Sequence, residues 1–474
     1  PTPGATPGRP QRTGPSHAMT SDRDADAAGQ RVAMDQLVSL CARRGFLFQS
    51  SEIYGGINGF WDYGPLGAEL KRNLRDRWWQ FMVRERDDVE GIDSAIIAHP
   101  RTWEASGHVE SFTDPMIDCK TCKRRFRADQ IEGEPCPEAP AQRTIPQCDL
   151  TEARNFDLMR TTQIGAQEGT GQTAYLRPET CQPIFNDFKR VRESARQKIP
   201  FGIAQVGKAF RNEITPRNFT FRSREFEQAE MEFFCNPSER EKWFDYWLDE
   251  RLRFHRGLGF REGSLRTRAH AADELAHYCA RAMDVEFLFP FGWQEIEGIH
   301  DRGDWDLSRH TEYSGKDLSV TDEETKEKYV PMCIETSVGI DRTVLALLVD
   351  AWAEETLDDG ETRVVMRFHP KLAPVTVAVL PLSKKLRDDV APIERTLRRH
   401  WNVEVDFSGN IGRRYRRQDE IGTPYCVTYD FESGGDGKVT VRFRDSMAQE
   451  RVPIAGLVAF LRDRIDREDA EGAR

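Results

Sequence analysis

FGIAQVGKAFRNEITPRNFTFRSREFEQAEMEFF, residues 201–234, is the stretch whose reading decides the fold. It reads as one long strand, a short loop containing Pro216 and Asn218, and a second long strand. Side chains alternate faces along a strand, so the second arm divides in two. Phe219, Phe221, Ala229, Met231 and Phe233 share one parity and form an apolar face that belongs on a core. The other parity carries Arg222, Arg224, Phe226, Gln228, Glu230 and Glu232. A solvated face would account for the charges, but not for a phenylalanine among them, nor for Arg211 and Glu213 at the end of the facing arm. Arginines suit phosphate oxygens, an aromatic ring suits a nucleobase, and carboxylates suit an ammonium group. Together they are what a site for a nucleotide and an amino acid requires.

Working outward, KYVPMCIETSVGIDRTVLALLVDAW (residues 328–352) holds a second strand with two faces. Val330, Met332, Ile334 and Val338 point one way, Glu335 and Ser337 the other, and Gly339 permits a tight exit into a helix apolar almost all round, hence buried. Asp341 and Arg342 open that helix, and a charged arginine there needs an anionic partner, either a protein carboxylate or a phosphate. Upstream, TAYLRPETCQPIFNDFKR reads as a strand running into a helix, with Pro178 and Glu179 at the turn. Glu179 would favour the helix N-terminus through its dipole, or offer its charge to a cationic ligand. Pro65 suits a first helical position, and Leu66, Leu70, Leu74, Trp78 and Met82 recur every four residues. That stripe faces either the core or another subunit. Another helix is expected over Val32 to Phe48. Ser238 and Glu241 read as a capping box for a helix ending near Gly257, and a further helix is expected over Asp273 to Arg281. WQEIEGIHDRGDWDLSRHTEYSG packs Glu295, Glu297, Arg302, Asp304 and His310 more densely than a surface loop requires.

Cys119 and Cys122 form a CxxC that reads as half of a zinc ribbon, but Cys136 and Cys148 stand twelve positions apart where a close pair is wanted. Either a structural zinc or a degenerate ribbon held by packing fits. The other six cysteines are scattered in apolar or mixed surroundings, which suits a reducing cytoplasm. From about Leu372 the rhythm changes to alternating strands and helices, indicating a separate α/β domain. Arg395, Arg398, Arg399, Arg413, Arg414, Arg416 and Arg417 concentrate there, on solvated helix faces or on a nucleic-acid surface. The net charge of −11 argues against indiscriminate nucleic-acid binding, so such a contact would be local. No apolar run approaches the roughly 18 residues that span a bilayer. Residues 1–30, rich in Pro, Gly and Thr, are expected to be a disordered extension without the apolar centre of a secretory signal.

The joint pattern resembles a known family. FRNE and RSREF look like motif 2 of the class II aminoacyl-tRNA synthetases, GIDR (Gly339 to Arg342) like motif 3, and the Pro65 helix like motif 1. More narrowly, YGPLGAELK, HPRTWEASGHVESF, RPET, FRNEITPRNFTFRSREFEQAE and ETSVGIDR resemble the dimeric glycyl-tRNA synthetase family, from about residue 34 to the C-terminus. Thr336 stands where that family usually has Pro, on the face expected to meet the core.

The resemblance implies an α+β fold, with a class II antiparallel sheet flanked by helices over residues 31–368, insertions at about 113–160 and 238–292, and an anticodon-binding α/β domain over 369–474. It implies a cytoplasmic homodimer that takes glycine, ATP with Mg²⁺, and tRNA(Gly), with no membrane partner. Arg211, Glu213 and Arg342 would be the catalytic residues. Arg211 would hold the α-phosphate and the glycine carboxylate, Glu213 the adenine amino group and Phe226 the adenine face, with Arg342 closing the other side and reaching the γ-phosphate with Arg222. Asn212, Phe221, Ser223, Arg224, Glu225, Glu295, Ile296, Gly339, Ile340 and Asp341 complete the implied ATP site. Glu179, Glu230, Glu335 and Ser337 would surround the glycine ammonium, with Arg101, Glu227, Gln228, Ala229, Arg302, Thr336 and Val338 in the implied substrate site. A non-catalytic relative, such as the accessory subunit of a mitochondrial DNA polymerase, would not need Arg211, Glu213 and Arg342 together. Another class II synthetase would differ in the amino acid it activates.

Overall fold

A computed structural model describes residues 32–128, 131–165, 171–276, 279–357 and 360–472, so the expected N-terminal extension lies outside the described residues. Helices α1 (Met34–Arg44), α2 (Pro65–Trp79), α3 (Gln182–Ala195), α4 (Arg240–Arg256), α5 (Trp305–Ser314) and α6 (Ile340–Ala351) surround a seven-stranded sheet. Its strands are β1 (Val89–Gly91), β2 (Phe201–Phe210), β3 (Glu225–Cys235), β4 (Leu265–Ala269), β5 (Arg281–Phe289), β6 (Gly292–Gly303) and β7 (Met332–Gly339), in the order β4-β5-β6-β7-β3-β2-β1. Only the short edge pair β1–β2 is parallel.

The side-chain parity of the strands sorts the layers. On β3, Ala229, Met231 and Phe233 enter the main core, joined by Ile334 and Val338 of β7 and by the buried stripe Leu70, Leu74, Trp78 and Met82 of α2. Thr336 is buried on the same side. Helix α6 is buried along nearly its whole length, as its apolar circumference requires. On the opposite face, Phe185 and Phe188 of α3 pack on Phe201 and Phe234 at one end of the strands, leaving the other end open as a cleft.

Several local expectations are corrected. The second arm becomes a strand only at Glu225, because Phe219–Phe221 form a 3₁₀ turn entered through left-handed Asn218 and Phe219. No Ser238/Glu241 box forms: Asn236 instead accepts from the Ser238 amide and caps a 3₁₀ turn that leads into α4. The described part of 273–281 is turn and bend, not helix, and Arg281 already begins β5. Gly339 has an ordinary φ of −77°, so left-handed freedom is not its role. A Cβ there would lie 3.3 Å from Arg342 Cδ, and the missing side chain leaves that arginine its place.

The C-terminal domain contains β8 (Val377–Val379), α7 (Arg387–Leu397), β9 (Val403–Val405), α8 (Ile411–Ile421), β10 (Tyr425–Thr428), β11 (Lys438–Phe443), β12 (Gln449–Pro453) and α9 (Leu457–Gly472). The sheet order is β9-β8-β10-β11-β12, parallel about β8 and antiparallel beyond β10. The arginine-rich segment proves to be α8, and it divides the arginines by role. Arg414 is buried and donates to the Pro381 and Asp406 carbonyls, and Arg417 pairs with Asp406, so both hold the domain together rather than offering themselves to a nucleic acid. Arg413 is exposed. Two further arginines join the domain to the rest of the chain. Arg363, on the strand Thr362–Met366, reaches Asp419 of α8 at 2.9 Å, and Arg442 of β11 shares the same carboxylate. Arg444 donates to the Phe368 and Gly422 carbonyls at 2.8 and 2.9 Å.

One ionic group sits wholly inside the main core. Glu297 of β6 accepts from Arg251 Nε at 2.6 Å and contacts His255 Nε2 at 2.5 Å, and all three side chains are fully buried. Burial works against the Glu297 charge, but Arg251 beside it outweighs that and holds the carboxyl below the usual range. Removing one partner of a buried pair strands the other, at a cost of about 3–5 kcal/mol. Glu297→Gln is therefore expected to lose about that much stability in urea unfolding, and a loss below about 1 kcal/mol would mean that Arg251 is solvated or otherwise paired.

Candidate active site

The cleft lies where β3 and β7 run side by side, and their register sets its floor. Glu230 stands opposite Ser337, Glu232 opposite Glu335, and Gln228 opposite Gly339. Alternation sends Phe226, Gln228 and Glu230 of one strand and Glu335 and Ser337 of the other into the cleft. The side chains of Ala229, Ile296 and Val338 point into the core, so these positions could meet a ligand only through their backbone.

One end of the cleft is basic. Arg211 donates its Nε to the Pro178 carbonyl at 3.0 Å, and its guanidinium lies between the rings of Phe112 and Phe226, 5.4 and 5.3 Å from their centroids. Arg342 rests on Phe221 at 4.6 Å, donates to the Phe221 carbonyl and pairs with Glu295 Oε2 at 3.1 Å. Glu295 is disfavoured by burial, yet the neighbouring Arg342 keeps it ionised. Arg222 lies 4.0 Å from Glu213. Burial lowers its affinity for a proton; Glu213 opposes this, and the nearby Arg217, Arg127 and Arg342 add to it. Such mutually repelling cations are what a polyanion would relieve.

The other end is acidic. Glu230 is buried and accepts from the Thr180 amide at 2.7 Å, from Thr180 Oγ1, from Ser337 Oγ at 2.6 Å and from Gln228 Nε2 at 3.0 Å. Burial, followed by the charges of Glu335 and Glu179, still pushes its carboxyl up to about 7. Glu335 is held ionised against burial by Arg302, both of whose contacts are at 3.2 Å, and by His300 at 2.9 Å. Glu179 is likewise disfavoured by burial, but His108 at 3.2 Å and Arg302 hold it well below the usual carboxylate range. Cys181, Glu232 and Glu335 each bring a ligand atom within 4.8 Å of the others. They make a poor cation site, because burial pushes the Cys181 thiol and the Glu232 carboxyl well up and Glu335 is already engaged.

The implied residues do not all gather here. Glu179, Arg211, Glu213, Phe221, Arg222, Ser223, Phe226, Gln228, Glu230, Glu295, Arg302, Glu335, Ser337, Gly339 and Arg342 line the cleft. Arg101 is exposed on the short helix Pro100–Ala105 and does not line it. Arg224 is spent on the Glu213 and Asn58 carbonyls, and Glu225 pairs with Lys208. Asn212 ties its amide to the Leu158 carbonyl, and Ile340 is core. Asp341 and Glu227 touch the cleft wall but are committed to α2. Asp341 accepts from Lys71 at 2.7 Å, from Tyr63 and from the Glu227 amide at 2.6 Å, and Glu227 pairs with Lys71 and Arg75. Sequence reading missed His108, His300 and Thr180. His300 had a signal, since it shares the parity of Arg302 on β6; Thr180 had none, because a single threonine after Glu179 reads as a helix lead-in.

Comparison with known proteins adds to this geometry. Residues 163–351 match the family described as tRNA synthetase class II core domain (G, H, P, S and T), and residues 376–464 match the anticodon binding domain family. The chain is 51% identical over 456 residues to a glycine–tRNA ligase of Geobacillus kaustophilus, covering 92% of this chain and 99% of that one. It is 52% identical over 444 residues to a glycine–tRNA ligase of Treponema denticola, with 92% and 98% covered. Among solved structures, prolyl-tRNA synthetase from Cryptosporidium parvum superposes with a TM-score of 0.63 at 13% identity, over 93% of this chain and 78% of that one, a likeness of fold.

An ammonium group favours the ionised form of Glu230, so below about pH 7 its binding must expel a proton. The affinity for an amino acid at this end is therefore expected to fall about tenfold per pH unit below the Glu230 pKa and to level off above it. Calorimetry with glycine, the amino acid implied by the sequence, checks this. A flat profile would place the ammonium elsewhere.

Proposed function

The chain belongs to the class II glycine–tRNA ligase family, joining glycine to the 3′ end of tRNA(Gly) through a glycyl-adenylate, and we propose that the cleft described above carries out both steps with the following residue roles. The observation that carries the assignment is the polarity of a single cleft. Cations gather at one end and carboxylates at the other, matching ATP and the glycine ammonium laid end to end. Phe226 supports the adenine, Glu213 accepts from its amino group, and Arg342 closes the opposite side. Arg211 takes the α-phosphate, and its Nη atoms make no protein hydrogen bond among the described residues. Arg222 and Arg342 take the outer phosphates, with Glu295 yielding its partner to them. Glu179, Glu230 and Glu335 receive the ammonium, and Ser337 orients Glu230.

In the first step the glycine carboxylate attacks the α-phosphorus and pyrophosphate leaves. The chain contributes position and fixed charge, which lowers the barrier as negative charge spreads over the phosphoryl oxygens. Glu295, an oxygen donor kept ionised on the phosphate side, is the residue that would hold Mg²⁺, whose charge would draw electron density from those oxygens. In the second step a hydroxyl of the terminal ribose of tRNA attacks the activated carbonyl and AMP departs. No protein nucleophile is needed. Glycine lacks a side chain, so its site gains affinity by gripping the ammonium and rejects alanine sterically, at about 1–3 kcal/mol for the added methyl group.

Glycine-dependent ATP–pyrophosphate exchange tests the roles. Arg342→Ala is expected to lower exchange at least tenfold with an unchanged melting temperature, since a charge-assisted contact is worth about 1.5–3 kcal/mol. Unchanged exchange would remove Arg342 from the phosphate site.

Homodimerisation and a cytoplasmic location belong to the same proposal. Ile53 and Tyr54 are each 87% exposed and Ile57 is 51% exposed, in the loop that leads to α2, an apolar surface that a second subunit would cover. All ten cysteines are free thiols, as a reducing compartment allows. Light scattering is expected to give twice the chain mass, reduced toward the single chain by Ile53→Asp with Tyr54→Asp. A monomeric wild type would overturn the dimer.

A further inference from the structure

The module between residues 113 and 157 has strand pairing and surface ion pairs but little apolar core of its own. Its sheet has three short strands, Thr113–Asp118, Arg125–Arg127 and Arg154–Asp157. Its buried apolar side chains, Met116, Ile117 and Ile145, join none of the hydrophobic clusters of the described residues. A unit this small ordinarily needs a disulfide or a metal to persist.

At its end two loops bring four thiols near one another. Cys119 and Cys122 flank a tight turn in which the Cys122 amide donates to Cys119 Sγ at 3.3 Å, the Lys123 amide donates to the Cys119 carbonyl, and Lys123 takes a left-handed φ of 56°. The longer loop from Cys136 to Cys148 folds back on itself through a Pro135–Thr144 bridge and a Cys136 amide bond to Arg143. The twelve-residue gap that spoils the ribbon pattern in the sequence is thereby closed. A Cys119–Leu150 bridge and a Lys120 amide bond to the Asp149 carbonyl then set the two loops side by side. Cys119 contacts both Cys122 and Cys148, and Cys148 contacts Cys136. Cys119, Cys122 and Cys136 are buried.

We propose that Cys119, Cys122, Cys136 and Cys148 form a structural zinc site that holds this module beside the catalytic cleft. Two features favour a metal over a pair of disulfides. The tight turn aims a backbone amide at a sulfur, with Cys122 N–H donating to Cys119 Sγ at 3.3 Å. Such a donor stabilises a thiolate, which ligates metal, and gains little from the sulfurs of a disulfide. The guanidinium of Arg143 also lies against Cys136 and near Cys148 and Cys119, offsetting the double negative charge of a zinc ion bound by four thiolates. Four soft ligands with no open position select zinc in a structural role. The closed site also serves the cleft. Phe112, just before the module, packs on Arg211, and the chain just after it fixes the amide of Asn212 through the Leu158 carbonyl.

Metal analysis of the full-length chain, purified under reducing conditions without added metal, tests the site together with titration of its thiols. About one zinc per chain is expected, released only as thiols are modified by a mercurial. Cys136→Ser and Cys148→Ser should each lose the zinc while Cys279→Ser keeps it, and cobalt exchanged into the wild type should show the visible bands of tetrahedral thiolate ligation. Should the serine variants fail to fold, the zinc content and thiol protection of the wild type decide alone. A wild type that stays metal-free after incubation with zinc and dialysis, disulfides among these four residues, or zinc retained in both serine variants would each overturn the proposal.

Discussion

A carboxylate buried away from water must be compensated, and the way Asp341 meets that demand fixes most of this structure. It sits at the start of α6, accepting from Lys71 of α2, from Tyr63 and from the Glu227 amide of β3. Burial disfavours its charge, and Lys71 more than restores it. One side chain thus ties a helix outside the sheet, a strand inside it and the helix that carries Arg342. Lys71 is itself buried and would be costly without Asp341 and Glu227, so the three charges are sustained only together. Arg342, the next residue along, inherits its place from this knot. The placing of Arg342 at the basic end of the cleft is therefore tied to contacts that run through the cleft wall to α2.

The acidic end follows the opposite rule. There Glu179, Glu230, Glu232 and Glu335 share a small buried volume with Arg302, His300 and His108, and the compensation is incomplete. Arg302 is already divided between Glu335 and Asp306. The outcome is graded: Glu335 and Glu179 are held below the usual carboxylate range, Glu232 is pushed well above it by burial, and Glu230 is raised to about 7. This set carries more carboxylates than its cations offset, whereas the charges around Asp341 are paired within the protein.

The legible part of the sequence was the part written in periodicities. Alternation in residues 225–235 and 332–339 separated core from cleft correctly, down to Thr336 on the buried side, and of the two faces the four-residue stripe of α2 allowed, the structure takes the core. What stayed hidden depends on partners distant in sequence. Nothing local distinguishes Arg224, bound to backbone carbonyls, from Arg222, which lines the cleft. Arg414 reads as surface until the Pro381 carbonyl is found to receive it. Phe219 and Phe221 fit the strand parity by coincidence, since a 3₁₀ turn buries both by another route. Cys136 and Cys148, twelve positions apart in the chain, are brought together by a loop that folds back on itself, which their spacing alone does not reveal.

The arginines at the domain junction bear on how the enzyme handles a much larger molecule. Swinging the C-terminal domain away would part Asp419 from Arg363 and Arg444 from the Phe368 carbonyl. A change in the distance between the anticodon-binding domain and the cleft would have to break these contacts, and a tRNA that required such a change would have to offset their loss.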